Sequence, residues 1–374
     1  MADARPPPAK KQKDTDEEEK EDVFTGSECI LLSHQQAISE ATFSATGKRI
    51  KTFTAIGSPV ESKSFSAQDA GRKALKAQTE DGDLLFVKIN TVSDAVDRFY
   101  REIEGLHAMR RTRSVRVPKV VTVAAFGRGR GGALVLEYVK MRTMLPADEY
   151  KFGLKLARMH DNKHGTQFGF PSNTWCGTLL QKNDWNDDWC DFFSTQRLGQ
   201  QSKMILDKYG DKEIATKIED LRVNLRERFF KDVDIKPRLL HGNLWSRNWG
   251  VDIDGLPVVY NPATYFGHHE VDMSMLAMFG APCKGFFVNY HDIVPRSEAG
   301  YDNRVFLYQL HHFLSLYLQF GRGFRITCLA MANLLLGSTL PRDGDGNGGG
   351  KEGGKGGGDS GGEDGGGSCI SSSA

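Results

Sequence analysis

The chain has 374 residues, enough for two lobes with cores of their own on a scale of about 100–200 residues per domain. Lysine and arginine together number 49 against 48 aspartates and glutamates, a balance that excludes a strong nucleic-acid or membrane-surface footprint. Six scattered cysteines, Cys29, Cys176, Cys190, Cys283, Cys328 and Cys369, form no Cys-x-x-Cys pair; this argues against a disulfide framework or a zinc site. No apolar run reaches the roughly 18 residues of a membrane span. The charged, acidic N-terminus is unlike a signal or transit peptide, so a cytoplasmic location is expected.

Residues 1–27 hold a proline run, the short basic stretch Lys10-Lys11-Gln12-Lys13 and a mostly acidic stretch from Asp14 to Asp22. Such a segment buries too little apolar surface to order itself and reads as a solvated tail rather than a nuclear signal. Ser33, with Gln36 three residues on, reads as a capping box opening a helix that Gly47 ends. Strand-like runs follow at Arg49–Ile56 and Leu84–Asn90. Ser93 is expected to cap a second helix, in which Val96, Phe99, Ile103 and Leu106 recur at helical spacing. Val120–Phe126 and Ala133–Tyr138 look like paired strands joined by the glycine-rich turn Gly127–Gly132. Residues 301–320 are apolar enough to be a buried helix. From about Gly337 the chain becomes Gly, Asp, Glu, Lys and Ser, a flexible-tail composition. Cys369 lies too far from the end for a prenylation box. The expected organisation is α+β, with a β-rich lobe over 28–140, a larger helical lobe over 141–336 and a tail over 337–374.

Lys88 stands inside the apolar strand Leu85-Phe86-Val87-Lys88-Ile89. A buried lysine is costly without an anionic partner, and Glu102 lies near the apolar face of the following helix. Further on come Leu240-His241-Gly242-Asn243-Leu244-Trp245-Ser246-Arg247-Asn248 and Tyr260-Asn261-Pro262-Ala263-Thr264-Tyr265-Phe266-Gly267-His268. These stretches resemble the catalytic core of the fructosamine/ketosamine-3-kinase family, protein-kinase-like small-molecule kinases. There the first stretch reads His-Gly-Asp-Leu-Trp-Ser-Gly-Asn and the second Asp-Pro-Ala-Ser-x-Tyr-Gly-His. The resemblance spans roughly 28–336 and continues through Phe168-Gly169-Phe170, Thr174, Gly177, Gln181, Asn183, Trp185, Trp189, Phe192, Phe193, Arg197 and Leu198. It is also carried by Gly267-His268-His269-Glu270-Val271-Asp272 and Tyr308-Gln309-Leu310.

The resemblance implies a two-lobed protein-kinase-like fold with a nucleotide cleft. Lys88 and Glu102 would serve the ATP phosphates, and backbone groups near Glu137 would meet the adenine edge. Asn243 occupies the position of the family's base aspartate, beside His241. Asn248 and Asn261 occupy the magnesium positions, of which the second is an aspartate in the family. Trp245 is the preferred sugar contact, and Asp272 would tie down the loop backbone. An amide at 243 orients a hydroxyl but cannot take its proton, and an amide at 261 takes a full charge from a hard-cation site. Asp252 and Asp254, as turn residues, would point away. The phosphate-covering turn would fall at Gly57–Phe65, where Glu61 opposes phosphate and one glycine remains. Arg247 stands where the motif has glycine.

Trp185, Trp189, Phe192 and Phe193 read as core in preference to a sugar platform. The pairs His268-His269 and His311-His312 point in different directions on a helix and are not expected to bind metal. Two functions stay open: ATP-dependent phosphorylation of ketosamines, free or protein-bound, in impaired form, and a pseudokinase that binds nucleotide, glycated protein or a partner without catalysis. A kinase of aminoglycoside- or choline-like substrates is disfavoured by the 168–198 pattern.

Overall fold

The computed structural model describes residues 30–56, 72–162, 165–278, 282–296 and 300–337. Both expected tails lie outside these residues, apart from Gly337, and so do the Gly57–Phe65 turn and Glu61.

An N-terminal lobe is built on a five-stranded antiparallel sheet of order β1-β2-β3-β5-β4. Its strands are β1 (Ile50–Ala55), β2 (Arg72–Thr79), β3 (Leu84–Asn90), β4 (Val120–Ala125) and β5 (Gly132–Glu137). The two faces of the sheet are coated separately because side chains alternate along a strand. Leu85, Val87 and Ile89 of β3 join Ala133 and Val135 of β5 against Ile38 of helix α1 (Leu32–Thr46). Leu134 and Leu136 face the other way, into the main core with Phe99 and Leu106 of α2 (Ala95–Arg111). Lys88 follows the second parity, which places it under the sheet.

Two expected caps are absent. Helix α1 starts after Leu31 with no side-chain cap, Ser33 lies inside its first turn, and the Gln36 amide instead donates to Glu40 at 2.8 Å. Helix α2 starts after Asp94, one residue beyond Ser93, again with no side-chain cap. Gly47 does end α1, in the left-handed conformation at φ 72°. Strand β2 was not foreseen: Lys73 and Lys76 interrupt the weak alternation of Leu75 and Ala77, and only pairing on both sides makes it a strand.

The larger lobe is mostly helical. It contains α3 (Pro146–His160), α4 (Trp189–Phe193), α5 (Gln200–Tyr209), α6 (Lys212–Val223), α7 (Glu270–Met278), α8 (Lys284–His291), α9 (Tyr301–Phe320) and α10 (Arg325–Leu336). Helix α9 has the expected bounds, and Leu307, Leu310, Leu314 and Leu318 are buried on it. Trp189, Phe192 and Phe193 are core residues, as expected, Trp189 and Phe193 against Tyr308 and Phe192 against Tyr265, whereas Trp185 precedes the helix and is 46% exposed. Short strands carry the loops that matter: β6 (Met141–Arg142), β9 (Arg238–Leu240), β10 (Trp249–Asp252), β11 (Pro257–Val259) and β12 (Tyr265–Gly267). Strand β10 pairs with β11 and β6, while β9 pairs with β12.

The hairpin of β7 (Thr174–Cys176) and β8 (Leu179–Gln181) reaches the N-lobe. Arg98 of α2 stacks 3.8 Å over the Trp175 ring, Ser172 bonds Glu104, and Arg72 donates to the Gly177 carbonyl at 2.7 Å. On its other side α2 meets the Pro262–Thr264 segment through Gly105, where an added Cβ would lie 2.7 Å from Thr264 Oγ1. Helix α2 is thus clamped to the larger lobe from two directions.

Glu270 and Arg304 form a fully buried bidentate pair, at 2.7 and 2.9 Å, that joins α7 to α9. Truncating one member of such a pair strands the other charge. Arg304→Ala is therefore expected to cost about 3–5 kcal/mol, read by urea denaturation. The double change Glu270→Leu with Arg304→Met should cost much less.

Candidate functional site

Asp272, on the first turn of α7, receives the backbone N–H of His241 at 2.7 Å on one oxygen and that of Gly242 at 2.8 Å on the other. The His160 ring lies 3.1 Å from the same carboxylate. Burial alone would raise the Asp272 carboxyl, yet His160, His241 and these hydrogen bonds hold it below the ordinary carboxylate range. Gly242, at φ 74°, is required here, because a Cβ would collide with the Ala263 carbonyl. The loop after β9 is therefore seated on the charge of Asp272 and against the 261–264 segment.

His241 is fully buried. Its Nε2–H donates to the Tyr260 carbonyl at 3.0 Å, and its Nδ1 accepts the Asn243 N–H at 3.2 Å. Burial pushes its pKa down to about 4, so the ring is neutral. With both nitrogens spent on backbone, this ring supports the loop and carries no proton at the cleft.

Lys88 Nζ lies 2.6 Å from Glu102 Oε2 and 2.9 Å from Asn261 Oδ1. Among the described residues these are the ammonium's partners, which leaves one of its three donors for a ligand. The three asparagines form a closed set. Asn261 Nδ2 donates to Asn248 Oδ1 at 3.3 Å, Asn248 Nδ2 to the Asn243 carbonyl at 2.7 Å, and Asn243 Nδ2 to the Asn261 carbonyl at 3.0 Å. Asn261 sits at φ 58°, a left-handed conformation that asparagine and aspartate tolerate better than other side chains. The amide orientations follow from these bonds. The two side-chain oxygens nearest a prospective cation, on Asn248 and Asn261, are neutral and already accept hydrogen bonds.

Glu137 turns its carboxylate away from Lys88, to Arg116 at 2.6 Å and the Lys119 N–H at 3.1 Å. Trp245 is half-buried and Arg247 exposed on the same loop. Asp252 is spent on Arg116 and on the N–H groups of Asp254 and Leu256, at 3.0 and 2.8 Å, so it faces away from the asparagines. One neighbour was missed: the buried Cys176 Sγ lies 3.8 Å from Asn243 Oδ1, and burial raises its thiol to about 11. It sits between the quoted Thr174 and Gly177, yet nothing in its spacing marked it. Arg116 gave no signal either, since its partner Asp252 is 136 positions distant.

Most of the ligand atoms of the neighbouring histidines and Glu270 are engaged by protein partners. His268, His269 and Glu270 bring ligand atoms within 4.8 Å of one another, but both Glu270 oxygens serve Arg304, and His268 Nδ1 bonds the Tyr308 hydroxyl at 2.7 Å. His311 and His312 bond Gln201 and the Val271 carbonyl.

A sheet lobe whose strand lysine is held by a helix glutamate, set over a helical lobe presenting an anchored His-Gly-Asn loop, defines the two-lobed protein-kinase-like fold. A macrolide 2'-phosphotransferase shares that fold at 10% identity, with a TM-score of 0.51 over 81% of this chain and 98% of its own. Crystal structures of candidate fructosamine-3-kinases align more fully. That from Haemophilus somnus gives a TM-score of 0.71 at 25% identity over 81% of this chain and 98% of its own. That from Thermobifida fusca gives 0.68 at 27% over 80% and 98%. The chain belongs to the fructosamine kinase family, whose sequence model matches residues 46–337. It is 35% identical over 275 residues to the ketosamine-3-kinase of Mus musculus, covering 67% of this chain and 87% of the mouse protein. It is 37% identical over 258 residues to the chloroplastic protein-ribulosamine 3-kinase of Arabidopsis thaliana, covering 68% and 76%.

Two outcomes follow for the loop anchor. Asp272→Asn places an amide N–H₂ against backbone donors and should cost roughly 1–3 kcal/mol for each donor left unpaired, measured by urea denaturation. The second concerns acid. Burial lowers His241 and His312 to about 4 and His268, His269 and His311 well below the ordinary 6.5. The unfolded chain then binds more protons below pH 6.5, so stability is full above that value and falls as pH drops toward 4. Glu270, raised by burial against the pull of Arg304, works the other way but is a single group. Thermal melts at intervals from pH 7 to 4 should show a steady decline; a flat profile would mean these rings are charged in the fold.

Proposed function

We propose that the cleft binds ATP through Lys88, Glu102 and the backbone around Glu137, and that the acceptors are ketosamines, sugar adducts on small or protein-borne amines. In this reading phosphoryl transfer to the sugar hydroxyl is strongly impaired. The observation that carries it is the amide set: Asn261 Nδ2 donates to Asn248 Oδ1 at 3.3 Å where two facing oxygens would otherwise need a cation between them.

The chemistry follows from the donors. In the transfer the acceptor oxygen attacks the γ-phosphorus, the bond to the β–γ bridging oxygen breaks, and the hydroxyl proton must leave. Asn243 Oδ1 would orient that hydroxyl, with the Cys176 thiol 3.8 Å away, but an amide takes no proton. Loss of a general base costs about 10²–10⁴ in rate. Magnesium wants hard, preferably anionic oxygens; Asn248 and Asn261 are neutral, and an ammonium lies 2.9 Å from Asn261 Oδ1. These residues do not fit a protein-held magnesium ion. ATP would therefore be held mainly by Lys88 and by shape, with little gain from magnesium. The same network favours a second reading, a pseudokinase that binds nucleotide without transfer. A cytoplasmic setting accords with a ketosamine acceptor on cellular proteins.

Phosphate transfer from labelled ATP to a fructosamine or ribulosamine substrate tests this. The wild type should fall far below the roughly 1–100 s⁻¹ usual for kinases. Asn243→Asp with Asn261→Asp should raise the rate by about 10²–10⁴, each single change recovering much less because the two positions act as a unit. Wild-type turnover at the usual kinase rate would refute impairment. A folded double variant that stays silent would place the defect elsewhere, at Glu61 or Arg247. Calorimetric titration of ATP with and without magnesium should give similar weak binding; strong enhancement by the metal would show that an acid serves it.

A further inference from the structure

We propose that the chain has a second ligand site, separate from the asparagine cluster: a cavity of about 400 Å³ beside the link between the lobes, built for a compact organic polyphosphate. Its wall gathers Arg110, Arg113, Arg116, Lys119 and Lys155 against one carboxylate, Glu137. The whole chain carries a net charge of only +1, so this density is local. The residues come from the end of α2, the segment leading to β4, and α3 of the larger lobe.

Three observations point to an anion rather than to a solvated face. First, Arg116 is answered by Glu137 and Asp252, yet among the described residues no carboxylate pairs with Arg110, Arg113, Lys119 or Lys155. Some arginines elsewhere are matched, Arg98 with Asp94, Arg142 with Asp148, Arg238 with Asp161 and Arg325 with Asp211, and others such as Arg49, Arg111 and Arg158 have no carboxylate partner among the described residues; what distinguishes these four cations is that they converge on one cavity. Second, Arg113 has φ 54°, which costs a non-glycine residue on the order of 1–2 kcal/mol. That backbone is held by the Arg113 N–H to the Arg110 carbonyl at 3.1 Å and by Thr112, whose hydroxyl bonds the Met109 carbonyl at 2.7 Å. A left-handed residue just past the helix end stops α2 here and brings Arg113 into the cavity wall. Third, the volume lies within the roughly 300–1,000 Å³ of small-molecule pockets and exceeds what one inorganic phosphate fills. The negative end of the α2 dipole accounts for Arg110, but not for Lys119 or Lys155, which belong to other elements.

Guanidinium forks grip phosphate oxygens in pairs, and lysines add point charge. A ligand with two or three phosphates on a small ring would span the arginines of one lobe and Lys155 of the other. The phosphates could belong to a soluble metabolite or to a lipid headgroup. This site does not depend on the reading of the cleft.

The test uses the full chain and inositol 1,4,5-trisphosphate as probe, by calorimetry at low and at physiological salt. A parallel arm sediments the protein with phosphatidylcholine vesicles containing phosphatidylinositol 4,5-bisphosphate. Binding that weakens with salt and drops at least tenfold in Arg110→Glu with Lys155→Glu supports the site. The charge-keeping Arg110→Lys with Lys155→Arg should retain most of it, and unchanged melting temperatures certify both folds. Soluble binding without vesicle capture assigns a metabolite; capture by the vesicles assigns a headgroup. No binding of either probe overturns the proposal. So does binding that survives the glutamate pair but is lost in Lys88→Met or displaced one for one by ATP, since that would place the probe in the cleft.

Discussion

Everything in the site hangs from the carboxylate of Asp272. It is buried, it holds the His241 and Gly242 amides at 2.7 and 2.8 Å, and its remaining charge is answered by the His160 ring. A buried anion is tolerable only when saturated in this way. Saturating it fixes where the loop leaves β9, and hence where Asn243 and Asn248 can be. His241 then passes the constraint on: its two ring nitrogens tie the Asn243 N–H to the Tyr260 carbonyl, so the two asparagine-bearing segments are joined through one ring.

Close approach of backbones does the rest. Gly242 lets the loop press on Ala263, and Gly105 lets α2 press on Thr264. The second contact matters because Glu102 lies one turn earlier on α2 and meets Lys88 at 2.6 Å. Helix position, strand lysine and loop are thus coupled through packing that no larger side chain would permit. From the opposite side the β7–β8 hairpin adds Arg98 over Trp175 and brings Cys176 against Asn243.

What that rigid frame holds is neutral. Lys88 is the cation at its centre and Glu102 its counter-ion, while the amide of Asn261 donates to that of Asn248 and those of Asn248 and Asn243 donate to the backbone carbonyls of Asn243 and Asn261. An aspartate would present only acceptors at the same points and would require a cation or a proton. Here the Lys88 ammonium supplies the one positive charge, and amide N–H groups stand where further charge would otherwise be needed.

The sequence by itself carried the two-lobed fold class and the family's motif segments. Apolar runs long enough to be strands, the helical spacing of Phe99 and Leu106, the apolar block of α9, and the two motif segments are local patterns, and local patterns survive without a fold. The partner of Lys88 was legible because a lysine in a buried strand needs an acid and the next helix carries one. The tertiary structure alone decided β2, whose lysines hide its alternation until two neighbours pair with it. It alone decided the helix starts, where packing overrode the capping residues Ser33 and Ser93. The role of His241 also waited for the fold, because burial and two backbone bonds, not residue type, set its proton affinity. Arg116 joins Glu137 and Asp252 across 21 and 136 positions, and Cys176 reaches Asn243 across 67. Such contacts are properties of chain topology, and no window of neighbouring residues contains them.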